Sequence, residues 1–197
     1  MTVRQKYYLY AAIGFVGLII SFLNRNVHVD DALIYYRYVE NFINGNGLVY
    51  NIGERFNALT SPLYIYISIL LSSITREVEL TQVCLNAVLM IASSILIFNI
   101  LSKTKDKTTG LFASLLFISS KYFYSVFGLE TNLFILICLL CIYSYISLNS
   151  RLLAIFSALL LLTRGEGLFL VIILYTMLYI KNRNKFRYPD LVIVFIL

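Results

Sequence analysis

Residues 30–62 read DDALIYYRYVENFINGNGLVYNIGERFNALTSP, the longest polar interruption in an otherwise apolar chain. A helix starting at Asp30 places Arg37, Asn41 and Asn44 on one side as a polar stripe. Leu33, Val39, Phe42 and Ile43 fill much of the remainder, and Tyr35, Tyr36 and Tyr38 suit a membrane–water interface. Gly45 follows where a residue of left-handed conformation ends such a helix. The stretch therefore predicts a juxtamembrane amphipathic helix with two adjacent carboxylates, Asp30 and Asp31, at its positive end. A single aspartate is enough to cap a helix. The pair leaves two further roles open: a general base toward a hydroxyl, or part of an oxygen ligand set for a metal, for which the sequence supplies no further ligands.

Outward from this stretch the chain is a membrane protein by composition. Of 197 residues, 60% are hydrophobic and 13% charged, against roughly 25% charged in a soluble domain; the mean hydropathy is +0.83. Arg4 and Lys6 precede an apolar run over 7–23 that lacks a small-residue cleavage pattern, so it reads as a retained signal anchor. The outer loop covers 24–62, and further apolar runs follow at 83–101, 111–127, 133–148, 152–163 and 168–180, with another beginning at 191. The run 63–74 is short of the roughly 17–25 residues a span requires. It follows Thr60-Ser61-Pro62, a helix-start signature with a hydroxyl cap and proline at the first position. It is expected to be an interfacial or re-entrant helix.

That assignment sets the parity of everything downstream. Arg4, Lys6, Lys103, Lys105, Lys107, Arg151, Lys181, Arg183, Lys185 and Arg187 then share the cytoplasmic side, as the positive-inside rule requires. Asp30, Asp31, Glu40, Glu54, Glu77, Glu79, Glu130 and Glu166 fall outside. The net charge of +6 is thus an orientation signal, and nucleic acid is not an expected partner. The fold class is all-α and polytopic, one transmembrane domain with no internal repeat. The last run begins at 191 and the chain ends at Leu197, which reads as the N-terminal part of a longer protein or a truncated product.

Three polar sites share the outer face: the large loop, Gly128-Leu129-Glu130-Thr131, and Arg164-Gly165-Glu166-Gly167. The last joins two short apolar runs, so Arg164 and Glu166 are expected either in a cavity below the headgroups, where ionisable residues are costly and functional, or as an internal ion pair at two helix ends. Cys138 and Cys141 form a CxxC without a second pair or a nearby histidine, and with Cys84 they read as small apolar residues rather than zinc ligands. His28, the single histidine, reads as structural.

The order DDALIYYRYVENFINGNGLVYNIGERFNALTSPL, then FGLET, then LLTRGEG, resembles bacterial GT-C glycosyltransferases that use polyprenyl-phosphate sugars, in particular the group containing mycobacterial terminal arabinofuranosyltransferases. The resemblance implies an inverting sugar transfer on the extracytoplasmic face of the bacterial cytoplasmic membrane. Its donor is a polyprenyl-phosphate sugar and its acceptor an envelope glycan, lipid or protein. By the same resemblance Asp30 and Asp31 supply the base, and Arg164, Arg37 and Arg55 hold the departing phosphate. Glu54, Glu130 and Glu166 bind sugar or orient the loops, the 63–74 helix walls a groove for the lipid tail, and no metal is certain. The chain departs from the family pattern at Gly165, where proline usually follows the arginine, and at Asn57-Ala58, where Glu-Gly is usual. It is also shorter than such enzymes. Two other classes fit the same apolar pattern: a small transporter, against which the lack of repeated halves counts, and an inactive remnant or assembly partner.

Overall fold

The computed structural model describes residues 2–27, 29–54, 59–181 and 194. The described residues form helices and connecting turns, with no strand. The first helix, α1 (Val3–Leu23), starts from a capping box in which Thr2 and Gln5 exchange side-chain and backbone hydrogen bonds. Only Ile13, Gly17 and Ser21 are buried on it; Tyr7, Phe15, Leu18 and Phe22 are exposed. The helix thus buries one narrow stripe and leaves an apolar face exposed. With α4 (Val78–Thr104), it is one of two helices long and apolar enough to cross a membrane.

α2 (Asp30–Ile43) begins and ends where the sequence predicts, with Gly45 at φ +81° after its last turn. Its capping differs from expectation. Val29 is the N-cap residue, without a side-chain cap, and the two aspartates occupy the first turn. Both keep the favourable helix-dipole position, and neither caps. Tyr35, Tyr36 and Tyr38 are buried rather than interfacial. They form the face that packs on α3 (Pro62–Thr75) and α4, while Leu33 and Phe42 take the exposed side.

α3 has 14 residues, a rise of about 21 Å, too short for a hydrocarbon core of about 30 Å. Pro62 opens it as expected, but no hydroxyl caps it: Ser61 Oγ is buried without a partner among the described residues, and Thr60 faces Tyr35 instead. Arg76, in left-handed conformation at φ 61°, turns the chain into α4. A hydrogen bond between the Thr75 and Thr81 hydroxyls and one from Tyr64 to Gln82 make the two helices an antiparallel hairpin.

The apolar run 111–127 is not one helix. α5 (Lys107–Ser119) is capped by Asp106, stops at Ser120 in extended backbone, and resumes as the short α6 (Lys121–Ser125). Ser119 turns its hydroxyl to Leu116 O, and the Tyr124 hydroxyl donates to Ile118 O at 2.6 Å. Side chains thus claim carbonyls that the next helical turn would have used. α7 (Thr131–Ile146), α8 (Ser150–Thr163) and α9 (Gly167–Lys181) complete the bundle, at 16, 14 and 15 residues. α4 and α7 run parallel: Asn132 donates to Asn86 at one end and Lys103 to Ser147 at the other. The 17 residues between Asn86 and Lys103 span about 26 Å, so the helices have two distinct ends. α1 runs antiparallel to α4, with Tyr10 donating to Asn99.

Candidate functional site

At the Asn86–Asn132 end, a cleft of about 350 Å³ opens between the start of α2, the segment before α3, the start of α7 and the end of α8. It is lined by Asp31, Ile34, Tyr35, Leu59, Thr60, Leu129, Glu130, Thr131 and Arg164. All three polar segments singled out in the sequence contribute to it. Asp31, Ile34 and Tyr35 share one face of α2 by helical spacing. Asp30 lies a hundred degrees round the helix, is exposed, and does not line the cleft.

Glu130 is 8% exposed and sits at the N-cap position of α7, its carbonyl accepting from Phe134 N. A carboxylate buried to this degree needs a counter-charge, which Arg164 supplies with Nε 3.8 Å from Glu130 Oε1. Arg164 follows α8 in extended backbone, which throws its side chain across the cleft toward α7. Its Nη2 donates to Glu166 Oε1 at 3.3 Å, and its guanidinium stands 5.8 Å from the centre of the Phe134 ring. Glu166 is exposed and outside the cleft lining. Its own backbone N–H, and then the Arg164 charge and hydrogen bond, hold its carboxyl below the usual carboxylate range. The expected Arg164–Glu166 pair thus exists, at the surface, and Arg164 is shared between two carboxylates without a bidentate contact to either.

Tyr35 forms the inner wall, its hydroxyl a long 3.5 Å from Thr60 Oγ1. Burial pushes its phenol up to about 12; the Thr60 hydroxyl pulls against this and the Glu130 charge adds to it. Behind it, Tyr64 meets the Tyr35 ring edge-on, with centroids 5.5 Å apart. Tyr64 is fully buried in a polar chain: it donates to Gln82 Oε1 at 2.8 Å and accepts from Asn86 Nδ2 at 3.0 Å. Asn132 in turn donates to Asn86 Oδ1 and to Phe123 O. This chain joins α3, α4, α6 and α7 directly beneath Tyr35 and two residues from Glu130. Gln82 Nε2 and Asn132 Oδ1 stay buried without a partner among the described residues, so the network is satisfied only in part. Gln82 and Asn86, four residues apart in an apolar helix, are the sequence signal for it.

The turn carrying Glu130 is seated on α2. Gly128 has φ +90°, and a Cβ there would lie 2.7 Å from Ala32 Cβ and 2.6 Å from Tyr36 Oη. Only glycine both adopts that backbone and allows so close an approach.

The other sequence candidates lie elsewhere. Arg37 is exposed and outside the lining, and Glu54 accepts from Asn51 Nδ2 in the exposed Gly53 turn. Arg55 lies outside the described residues, as do Asn57, Ala58, His28, Arg183, Lys185 and Arg187. Tyr35, Thr60 and Thr131 join the site without having been singled out for it. Among the described residues no three of His, Cys, Asp and Glu stand together so as to hold a metal ion, and Cys84, Cys138 and Cys141 are free thiols.

The cleft therefore combines a carboxylate at its mouth, a buried carboxylate and a half-exposed guanidinium, with tyrosine and threonine hydroxyls between them. No family model, no curated protein and no solved structure matches the chain.

Proposed function

We propose that the chain is the membrane-embedded catalytic part of a glycosyltransferase of GT-C type, taking its sugar from a polyprenyl phosphate and passing it to a hydroxyl-bearing envelope acceptor. One observation carries the reading: Asp31, Glu130 and Arg164, from three separate segments of the chain, line a single cleft. In this reading α1, α4, α5 with α6, α7, α8 and α9 cross the bilayer of the cytoplasmic membrane and α3 does not. Lys103, Lys105, Lys107, Arg151 and Lys181 then mark the cytoplasmic end, and the cleft faces outward.

The chemistry follows from the groups present. The Asp31 carboxylate takes the proton of the acceptor hydroxyl. The acceptor oxygen attacks the anomeric carbon from the face opposite the phosphate, the carbon–oxygen bond to the phosphate breaks, and the lipid phosphate leaves with that electron pair. A single displacement inverts the anomeric centre. Arg164 neutralises the charge that develops on the phosphate, its planar donor fork turning from Glu166 to the phosphate oxygens. Glu130 positions Arg164 from the buried side, and the Tyr35 and Thr60 hydroxyls meet the sugar. The exposed apolar face of α3, with Tyr66, Leu70 and Ile74, takes the first isoprene units of the tail.

A second reading has its own observation. Arg164 already satisfies two carboxylates and thereby staples α7 to the α8–α9 turn, a role that needs no substrate. Transfer assays on the two aspartates separate the readings. Asp31→Asn is expected to lower sugar transfer by about 10²-fold or more, the loss typical of a missing general base, while Asp30→Asn stays within a few-fold of wild type. Equal activity in both variants sinks the assignment of the base.

A further inference from the structure

At the opposite end of the bundle, a cavity of about 240 Å³ lies between α1, α4, α5 and α7. Lys6, Lys103 and Lys107 stand around it, Asn99 and Ser102 line it, and Tyr143 forms a wall. The three ammonium groups come from three different helices. Lys103 Nζ donates to Ser147 Oγ at 3.2 Å and lies 5.6 Å from the Tyr143 ring centre; its other N–H groups have no partner among the described residues. The Ser102 hydroxyl is buried without a hydrogen-bond partner there. The chain carries only one carboxylate between Glu79 and Glu130, Asp106. It does not line the cavity, and both its oxygens are taken by Thr109, at 2.8 and 2.7 Å. An orientation signal alone would need positive charge at this end but no cavity enclosed by lysines from three helices.

We propose that this cavity binds the phosphate group of a phosphate ester, either the headgroup of an anionic phospholipid or a soluble phosphate. Lysine suits phosphate as a point charge, with three donors free to rotate, and basic pockets between membrane helices hold such headgroups. The volume is below the roughly 300–1,000 Å³ of sites for drug-sized ligands, which favours a headgroup-sized anion. Ser102 donates the hydrogen bond that completes the shell. The proposal is independent of the acidic cleft and of any transfer activity.

The test is native mass spectrometry of the purified chain in neutral detergent, titrated separately with phosphatidylglycerol, phosphatidylcholine and inorganic phosphate. The wild type is expected to retain phosphatidylglycerol or inorganic phosphate in preference to phosphatidylcholine, and the better-retained of the two identifies the source. The Lys6→Gln/Lys103→Gln/Lys107→Gln variant should bind it at least about tenfold more weakly, and the Lys→Arg triple at the same positions should hold it. Lys105→Gln/Arg151→Gln/Lys181→Gln removes equal charge outside the cavity and should leave binding within about twofold. Ser102→Ala should weaken it a few-fold with unfolding unchanged. Equal losses in the two glutamine triples, or no preferential retention by folded wild type, overturn the proposal.

Discussion

Replacing Gly128 by alanine asks whether the turn that carries Glu130 is held against α2. Two costs arise. The first is conformational: φ is +90° at this position, where an L-residue loses about 1–2 kcal/mol. The second is steric. The new methyl would meet Ala32 Cβ at 2.7 Å and Tyr36 Oη at 2.6 Å. The tyrosine tip can swing, but the alanine methyl moves only if the α2 backbone moves, and overpacking of that kind costs about 1–3 kcal/mol. Gly45 provides the control, because its φ is +81° and a Cβ there would meet nothing within 4 Å. Gly45→Ala therefore carries the conformational cost alone. Unfolding of both variants in mixed micelles with increasing dodecyl sulfate should place Gly128→Ala below Gly45→Ala by about 1–3 kcal/mol, the steric part. Adding Tyr36→Phe to Gly128→Ala should cost less than its effect on wild type, since the two residues compete for the same space. If Gly128→Ala and Gly45→Ala unfold together, the turn is not seated on α2 and does not hold Glu130 in the cleft wall.

Three further outcomes follow from the same geometry. The phenols of Tyr35 and Tyr36 are both pushed up to about 12, chiefly by burial, whereas in the unfolded chain they ionise near 10. Below pH 10 both states keep the protons; between 10 and 12 only the folded state does, so stability falls across that window by up to about 3 kcal/mol per phenol. Ultraviolet titration of phenolate should show a late component that shrinks in Tyr35→Phe, and its absence contradicts the burial of α2. Asn86→Leu removes the donor to Tyr64 and the acceptor of Asn132 and should cost about 1–3 kcal/mol in the same unfolding assay, with an effect below 0.5 kcal/mol excluding the network as a structural element. For topology, a cysteine at position 105 on a background without Cys84, Cys138 and Cys141 should resist impermeant thiol reagents in intact cells, and labelling there reverses the orientation.

The helices were legible where pattern and punctuation agree. α2 could be read because an acidic start, an apolar stripe and Gly45 all point to one element, and α3 because its apolar run is too short to span. The burial of Tyr35, Tyr36 and Tyr38 was not legible. Interfacial preference describes aromatic rings that have lipid beside them, and these rings have α3 and α4. The break at Ser120 was hidden because Ser119-Ser120-Lys121 is a small notch in hydropathy, and what stops the helix is the reach of Tyr124 back to Ile118. In the cleft, the acidic pair, Glu130 and Arg164 could be named from the chain. Which aspartate faces inward depends on the helical phase set by Tyr35 and Ile34, and the sharing of Arg164 between Glu130 and Glu166 depends on how α8 ends. Gln82 and Asn86 mark a polar patch on α4, but Tyr64 and Asn132 lie far from them in sequence, and nothing local signals that these are the residues they meet.

The central claim is that Arg164 at this cleft receives a lipid-linked phosphate, and direct binding of an undecaprenyl phosphate to the purified protein tests it. Wild type should bind, and Arg164→Lys should bind more weakly because it keeps the charge and loses the planar fork. Combining Arg164→Ala with Glu130→Gln and Glu166→Gln removes the guanidinium without leaving either carboxylate unpaired. This triple variant should unfold like wild type and bind no lipid phosphate. Binding by the triple variant equal to that of wild type, or no binding by folded wild type, would contradict the account and leave Arg164 as a staple between helices.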